Sequence, residues 1–549
     1  MFPYAVETFT SEEEDILRRY CTNLHLPVFA LVNLPEVVKG ALFARYSRSP
    51  KSLRRLFLDE FVGELDITGD ATVDATVGVK RAEDLYEKVF LEYGDDSVAQ
   101  LGGVHLACEQ ASNLLTKVLE RGRLMAYLEQ STRYIAYDSR LSTGHYRYCR
   151  DPGLLESSLG ARYVGEMDRM FDTYGELLAE VQAWLTRRHP RQAGDSDFVH
   201  RRAVRAKALD ALRGLLPAGS LSNLGIYGTG QSYEMLLLRM RSHPLPEARS
   251  YAAMMLDELR KVIPSFLQRV DRAERGGVWS SYLEQVREDT ARTVERLFPD
   301  LVEPEPSSSS GPAGAPSVDL VDFDPEGEEK VIAAICYPHT SAPEDEVQRR
   351  VRLLSADERR SLVLGYVGDR SNRRHRPGRA FERTSYRFDV VTDYGAFRDL
   401  QRHRMLTIEW QPLGPSLGYD VPHEVVEAGV ADRYTASLER SRELHEALVP
   451  AFPVESAYAV ALAYRIRYSM HMNARSAMHV VELRSSPQGH PAYRWVAQEM
   501  HRLIGERAGH HLLAEAMSHV DYGDPELERL ESERRAETRR AVHGIPSPP

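Results

Sequence analysis

Polar and apolar positions change period several times along the chain, and each change marks an element. In SYRFDVVTD, residues 385–393, Tyr386, Phe388 and Val390 alternate with polar neighbours, the period of a half-buried strand. From about residue 394 the spacing turns helical, and that helix delivers Arg402-His403-Arg404 at its end. Residues 80–93 read as an amphipathic helix that Gly94 is placed to stop. Residues 97–120 read as a long helix that delivers Arg121 and Arg123. In SPKSLRRLFLDEF, 49–61, Ser49 is placed as N-cap and Pro50 at the first helical position. MNARSAMHVVELR, 472–484, suits a helix on which Arg475 and His479 share a face.

The periodicity lapses at 303–317, EPEPSSSSGPAGAPS, which has too few apolar residues to offset its chain entropy. It is expected to be a flexible linker between a first domain, 1–302, and a second, 318–549. From Asp524 the chain is dense in Glu and Arg and finishes PSPP, a solvated helix followed by a frayed tail. The halves resemble each other. Arg241-Ser-His-Pro244 and Arg484-Ser-Ser-Pro487 each precede a helical stretch, and each lies downstream of an Arg-x-Arg, 121–123 or 402–404. Two matches in the same order indicate a duplicated domain of mixed helix and strand.

Composition narrows the function classes. The 549 residues carry a formal net charge of -11, which argues against a general nucleic-acid coat. No run of about 18 apolar residues is present. MFPYAVETFTSEEED lacks the basic and apolar regions of a signal peptide, so a cytoplasmic home is expected. The four cysteines form no Cys-x-x-Cys pair, which leaves a disulfide framework, a cysteine-based zinc site and a thiol nucleophile without support. Neither a phosphate-binding Gly-rich loop ending in Lys nor a His-Glu-x-x-His is found.

Several clusters carry candidate chemistry. Glu129, Ser131 and Arg133 recur at every second position, so an extended segment would point all three one way. Arg there can grip a phosphate with paired charge-assisted hydrogen bonds, and Glu can accept from a ring N–H. A solvated edge strand or a local ion pair accounts for the same pattern. Arg402-His403-Arg404 is either a ligand-binding cluster or a cationic helix C-terminus. Arg373-Arg374-His375-Arg376, before Pro377-Gly378, is either an anion site or a solvated turn. His479 sits among apolar residues, where histidine is more often structural.

Together these residues resemble the flavin-dependent thymidylate synthases. That family's signature reads Arg-His-Arg-x-x-Ser-x-Asn-Glu-x-Ser-x-Arg-Tyr. Residues 121–134 match it at Arg121, Arg123, Glu129, Ser131, Arg133 and Tyr134, and depart at Gly122, Ala126 and Leu128. Residues 402–415 match Arg402, His403 and Arg404 and keep a hydroxyl at Thr407; Trp410, Pro412, Gly414 and Pro415 then replace the remainder. The family's Arg three residues before a Leu-Pro fits Arg213, and about Ala457 stands in its place in the second half. Its flavin-contacting Asn-x-Arg and later ring-contacting Arg fit Asn473, Arg475 and Arg484, against Thr229, Gln231 and Arg241 in the first half. Glu382 falls in the region upstream that lies near flavin.

The resemblance implies an α+β fold, an antiparallel sheet flanked by helices in each half. It implies methylation of dUMP with methylenetetrahydrofolate as one-carbon donor, NADPH as reductant and FAD as cofactor. Arg133, Arg213 and Ser131 would take the nucleotide phosphate, Glu129 would bridge the ligands, and Arg484 would lie against the pyrimidine. Arg402, His403 and Arg404 would hold flavin, Arg402 also reaching substrate, and Asn473, Arg475, His479 and Glu382 would continue the flavin wall. In that family each site combines residues from different subunits. A tandem chain with complementary losses is therefore expected to build a composite site from its two unlike halves, and two chains to form a pseudo-tetramer. A non-catalytic protein that binds nucleotide or flavin is the alternative.

Overall fold

The computed structural model describes residues 2–62, 100, 102–302, 315–523, 527 and 529–542. Among them are two antiparallel four-stranded sheets with helices packed around each, so the fold class is α+β as expected. The first sheet contains β1 (Val28–Leu31), β2 (Gly103–Ser112), β3 (Met125–Glu129) and β4 (Leu221–Thr229), in the order β1-β2-β4-β3. The second contains β5 (Ser317–Phe323), β6 (Ser385–Asp393), β7 (Thr407–Trp410) and β8 (Arg465–Asn473), in the order β5-β6-β8-β7.

The duplication is visible residue by residue. Ser112 pairs with Leu221 at one end of the first sheet, and Asp393 pairs with Arg465 at the same end of the second. Both side chains then cap the helix that follows: the Ser112 hydroxyl accepts the Leu115 N–H at 3.0 Å, and the Asp393 carboxylate accepts the Ala396 N–H at 2.9 Å. Thr229 and Asn473 repeat the device at the ends of β4 and β8, opening the helices Gly230–Arg241 and Ala474–Arg484.

The expected helix over 97–120 is corrected. Residues 103–112 are β2, and only Asn113–Leu119 is helical. As a central strand, β2 is covered on both faces and so lacks the alternation that reveals β6. Glu109 and Gln110 add to the disguise. Gln110 has a left-handed φ of 56° where the register with β4 slips, and Glu109 is buried, accepting the Leu53 N–H at 2.7 Å and the Tyr46 hydroxyl at 3.1 Å. The helix expected at 49–61 runs over Leu53–Glu60, and Ser52 is its cap in place of Ser49. The Ser52 hydroxyl accepts the Arg55 N–H at 3.1 Å, whereas Ser49 accepts from Lys51 in the turn before it. The amphipathic helix expected at 80–93 lies outside the described residues, as does most of the linker, 303–314. The expected C-terminal helix spans Leu530–Val542. No helix among the described residues is long and apolar enough to cross a membrane.

The chain divides into two compact units that do not follow its halves. The first comprises 1–175, 216–308 and 436–460; the second comprises 176–215, 309–435 and 461–549. Each unit thus takes in a helical segment from the other half of the sequence. Main-chain bonds fix both exchanges: Val460 O accepts from Ala218 N at 2.7 Å in the first unit, and Gly214 O accepts from Ala463 N at 2.9 Å in the second. The second exchange requires a residue without a side chain. A Cβ on Gly214 would lie 2.3 Å from the Tyr434 hydroxyl and 3.0 Å from the Ala463 Cβ.

Gly214→Ala should therefore destabilise the protein by about 1–3 kcal/mol, the usual cost of overpacking a core. Thermal or denaturant unfolding measures it, and an unchanged midpoint would show that Tyr434 can yield.

Candidate functional site

Arg213 ends the exchanged segment in the second unit. It is 3% exposed, and its Nη1 donates to the Asp399 carboxylate at 3.2 Å. Nη2 stands 3.8 Å from Asp393, and neither Nη2 nor Nε has a hydrogen-bond partner among the described residues. Gly395 makes room for this guanidinium, since a Cβ there would lie 3.1 Å from both nitrogens. Asp399 sits on the short helix Tyr394–Leu400 and also faces Arg402, at 4.0 Å. Burial raises the Asp393 carboxyl above its ordinary range, against the opposing pull of Arg213 and the Ala396 N–H.

Beyond Arg402 the helix has ended, and His403 meets the next strand's helix. Arg484 donates its Nε–H to His403 Nε2 at 2.8 Å, which makes that nitrogen an acceptor and the ring neutral. Burial, then Arg484 and His479, hold His403 well below the usual histidine range, against Asp399. The His479 ring lies edge-on to it at 5.5 Å. Its Nδ1 accepts from Arg376 at 3.1 Å, and burial, Arg376 and Arg373 push it down to about 4. The Arg484 guanidinium also lies 5.4 Å over the Tyr493 ring. The result is a group of arginines with two uncharged imidazoles among them, suited to an anionic ligand bearing a flat ring.

The other expected flavin residues lie on the same unit. Arg475 donates to Pro377 O at 2.9 Å and to Glu382 at 3.3 Å, so these two join through an ion pair. Asn473 spends its amide oxygen on the Ser476 N–H at 2.8 Å. Arg404 is exposed. Sequence reasoning missed Asp399, although an Asp three residues before Arg402 at a helix end is a recognisable pair. It also left Arg373 and Arg376 undecided, and both face His479.

Glu129, Ser131 and Arg133 lie in the first unit. Glu129 ends β3, buried, and accepts from Lys117 at 3.2 Å; Lys117 also binds Glu120. The expected extended run stops there. Ser131 O accepts from Tyr134 N at 3.2 Å and the Ser131 hydroxyl accepts from Arg133 N at 3.2 Å, so Ser131–Tyr134 form a turn in place of a continued strand. Gly122, the departure from the signature, has its own cause: a Cβ there would lie 2.6 Å from the Tyr127 hydroxyl.

At the place in the first unit that corresponds to Arg213 and Asp393, the chemistry differs. Glu247 is 1% exposed and accepts from Ser112 N at 2.8 Å, the Ser112 hydroxyl at 2.6 Å and the Tyr458 hydroxyl at 2.9 Å. Burial raises it to about 7 despite these donors. The three buried thiols are shifted the same way, Cys21 to about 12, so none has thiolate character.

A repeated antiparallel sheet whose strand ends cap the helices that follow defines a duplicated α+β protein, with arginines and two neutral histidines gathered in its second unit. The family model described as "Thymidylate synthase complementing protein" matches it twice, over residues 44–265 and 319–508. The chain belongs to this family, the flavin-dependent thymidylate synthases, as two diverged copies in tandem. It is 39% identical over 534 residues to a UPF0159 protein of Chlamydia pneumoniae, covering 97% of this chain and 98% of the relative. A UPF0159 protein of Thermoplasma acidophilum is 32% identical over 526 residues, with 90% and 97% covered. Among solved structures, a UMP/dUMP methylase from Streptomyces cacaoi bound with 5-Br UMP matches 38% of this chain and 97% of its own, with 18% identity and a TM-score of 0.29.

Two titrations test this electrostatic picture. The His479 imidazole should stay neutral down to about pH 4 in a histidine-resolved NMR titration, and Arg376→Ala should move its midpoint upward. For Glu247, the folded carboxyl lies above its ordinary value near 4.5. Its protonated form therefore suits the fold, and stability is full below that value and declines as pH rises through about 7. Glu247→Gln should remove this decline, a gain on the order of 3 kcal/mol at pH 8 that vanishes below pH 4.5, read from unfolding midpoints.

Proposed function

We propose that the chain methylates the pyrimidine of dUMP, with methylenetetrahydrofolate and NADPH, at a site to which both halves of the sequence contribute. The observation that supports this most is Arg213. It comes from the half that keeps the nucleotide-binding part of the signature, and it shares Asp399 with Arg402 from the half that keeps the flavin-binding part.

The residues fit the flavin that the family uses. Arg373, Arg376 and Arg402 supply cationic donors for its phosphates, and His403, His479, Arg475 and Asn473 supply the wall. FAD, when bound, supplies the hydride. Arg213 has two buried guanidinium nitrogens without a hydrogen-bond partner among the described residues, which suits a phosphate oxygen. The resemblance also assigns Arg133 and Ser131 to the nucleotide phosphate, and Glu129 to a bridge between the ligands. Arg484 is held by His403 at Nε, so its other N–H groups are fixed in direction. Set against a pyrimidine carbonyl, they stabilise negative charge on the ring as C5 becomes nucleophilic. A neutral His403 leaves that positive charge on Arg484 alone.

The test is direct. The purified protein should carry flavin absorbance and release tritium from 5-labelled dUMP when folate and NADPH are present. Arg213→Ala should cost roughly 10–100-fold in kcat/KM for dUMP, the loss of one charge-assisted contact of about 1.5–3 kcal/mol. Flavin colour without tritium release would favour the non-catalytic binding protein, and a colourless protein that binds no dUMP would end both readings.

A further inference from the structure

The helix Asp197–Leu212 ends on Arg213, whose main-chain N–H donates to Leu209 O. The placement of that helix therefore sets the placement of the Arg213 guanidinium. Lys207 ties it to Glu424 at 2.7 Å. A second helix, Leu530–Val542, lies along it in the same compact unit. From Arg529 to Glu537 the contacts move from the last turn of the first helix to its N-cap. Arg529 faces Asp210 at 3.5 Å, and both are buried. Glu533 faces Arg202 at 3.6 Å. Arg534 donates to the Asp195 carboxylate through Nε at 2.6 Å and Nη2 at 2.9 Å, and to Gln192 at 2.8 Å. Glu537 accepts from the hydroxyl of Ser196, the N-cap, at 2.5 Å. The hydrogen bonds from Arg534 hold the Asp195 carboxyl below its ordinary range.

Each of these contacts is polar. The outer helix reads LESERRAETRRAV, and none of its described side chains is buried. A polar helix of 13 residues has little stability alone in water, so its order depends on the groups it grips. It also lies beyond residue 508, where the second family match ends. We propose that this helix is a clasp for nucleotide binding, in which Arg529 and Arg534 are positioning residues that hold the Arg213 guanidinium in place for the substrate phosphate. The proposal rests on the reading of Arg213 given above. Asp210 lies one helical turn before Arg213, so the buried Arg529–Asp210 pair fixes the end of the helix that carries the guanidinium. The clasp acts through that helix and touches no ligand itself.

Calorimetric titration of the full-length chain with dUMP and with deoxyuridine tests this. Arg534→Glu sets a carboxylate against Asp195 and should weaken dUMP binding by about tenfold, part of one charge-assisted contact, while deoxyuridine binding stays unchanged. Arg529→Met should do the same, and Arg529→Lys, which keeps a charge beside Asp210, should fall between it and the wild type. If Arg529→Met fails to fold, Arg534→Glu still decides, since the Arg534 side chain is 31% exposed. Main-chain amides of 209–215 should exchange hydrogen faster in Arg534→Glu, and those of β8 should not. Equal weakening for both ligands would show a merely structural role and overturn the proposal. Unchanged dUMP binding in a wild type and variants that all bind it, or unchanged exchange at 209–215, would overturn it while the functional reading stands. A wild type that binds no dUMP would end the functional reading and the clasp's role with it.

Discussion

A single main-chain bond, from Ala463 N to Gly214 O, governs what the second unit can contain. It anchors the segment 176–215 of the first sequence half beside β8 of the second. Arg213 adjoins Gly214, so the same bond decides which sheet receives the arginine. Three local features then accept it. Gly395 leaves the space, Asp399 supplies the charge, and Asp393 caps the neighbouring helix without closing on the guanidinium. In the first unit Ser112, the counterpart of Asp393, keeps the helix cap but carries no charge.

That asymmetry is the physical record of divergence after duplication. Where the second unit has a buried arginine between two aspartates, the first has a carboxyl locked by a serine and a tyrosine. Tyr458 stands in the position equivalent to Gly214, so the exchange that leaves a gap in one unit inserts a phenol in the other. A buried cation needs compensating carboxylates, and Asp393 and Asp399 provide them. A buried carboxyl without a cation is instead pushed towards its neutral form, and Glu247 follows that course. Equivalent places in the two units therefore carry opposite chemistry, a charged guanidinium in one and a carboxyl driven towards neutrality in the other.

Legibility in the sequence followed solvent exposure. β6 was readable because one of its faces is less deeply covered and the alternation survives. β2 was not, because burial on both faces removes alternation, and a bulge at Gln110 breaks what remains. The Asn473 helix was readable from its Arg and His spacing, while Ser52 was hidden by a nearer serine and proline that look like a better cap. At the site, Arg402 and His403 could be picked out because the signature names them, Arg484 from the family's later arginine and His479 from its helical spacing to Arg475, and the structure gathers them on one unit. Asp399 was missed, since the signature is silent there and its partner Arg213 is 186 residues away, and only its spacing to Arg402 marks it. Nothing in a linear reading indicates that 176–215 and 436–460 change sides, because exchange is a property of main-chain pairing and leaves no periodicity.

The same reasoning bears on why Gly122 and His403 differ. In a homo-oligomer one sequence must serve every site, so each signature position is constrained by all its uses at once. In a tandem chain the two copies are freed from one another. Tyr127 could then take the space above Gly122 and tie down the turn that leads into β3, at the expense of any side chain there. The imidazole was kept where it has work to do, as the acceptor that aims Arg484. Loss and retention thus fall on positions whose packing can use the loss, which is a stronger constraint than random decay and explains why the two copies are complementary fragments of one motif.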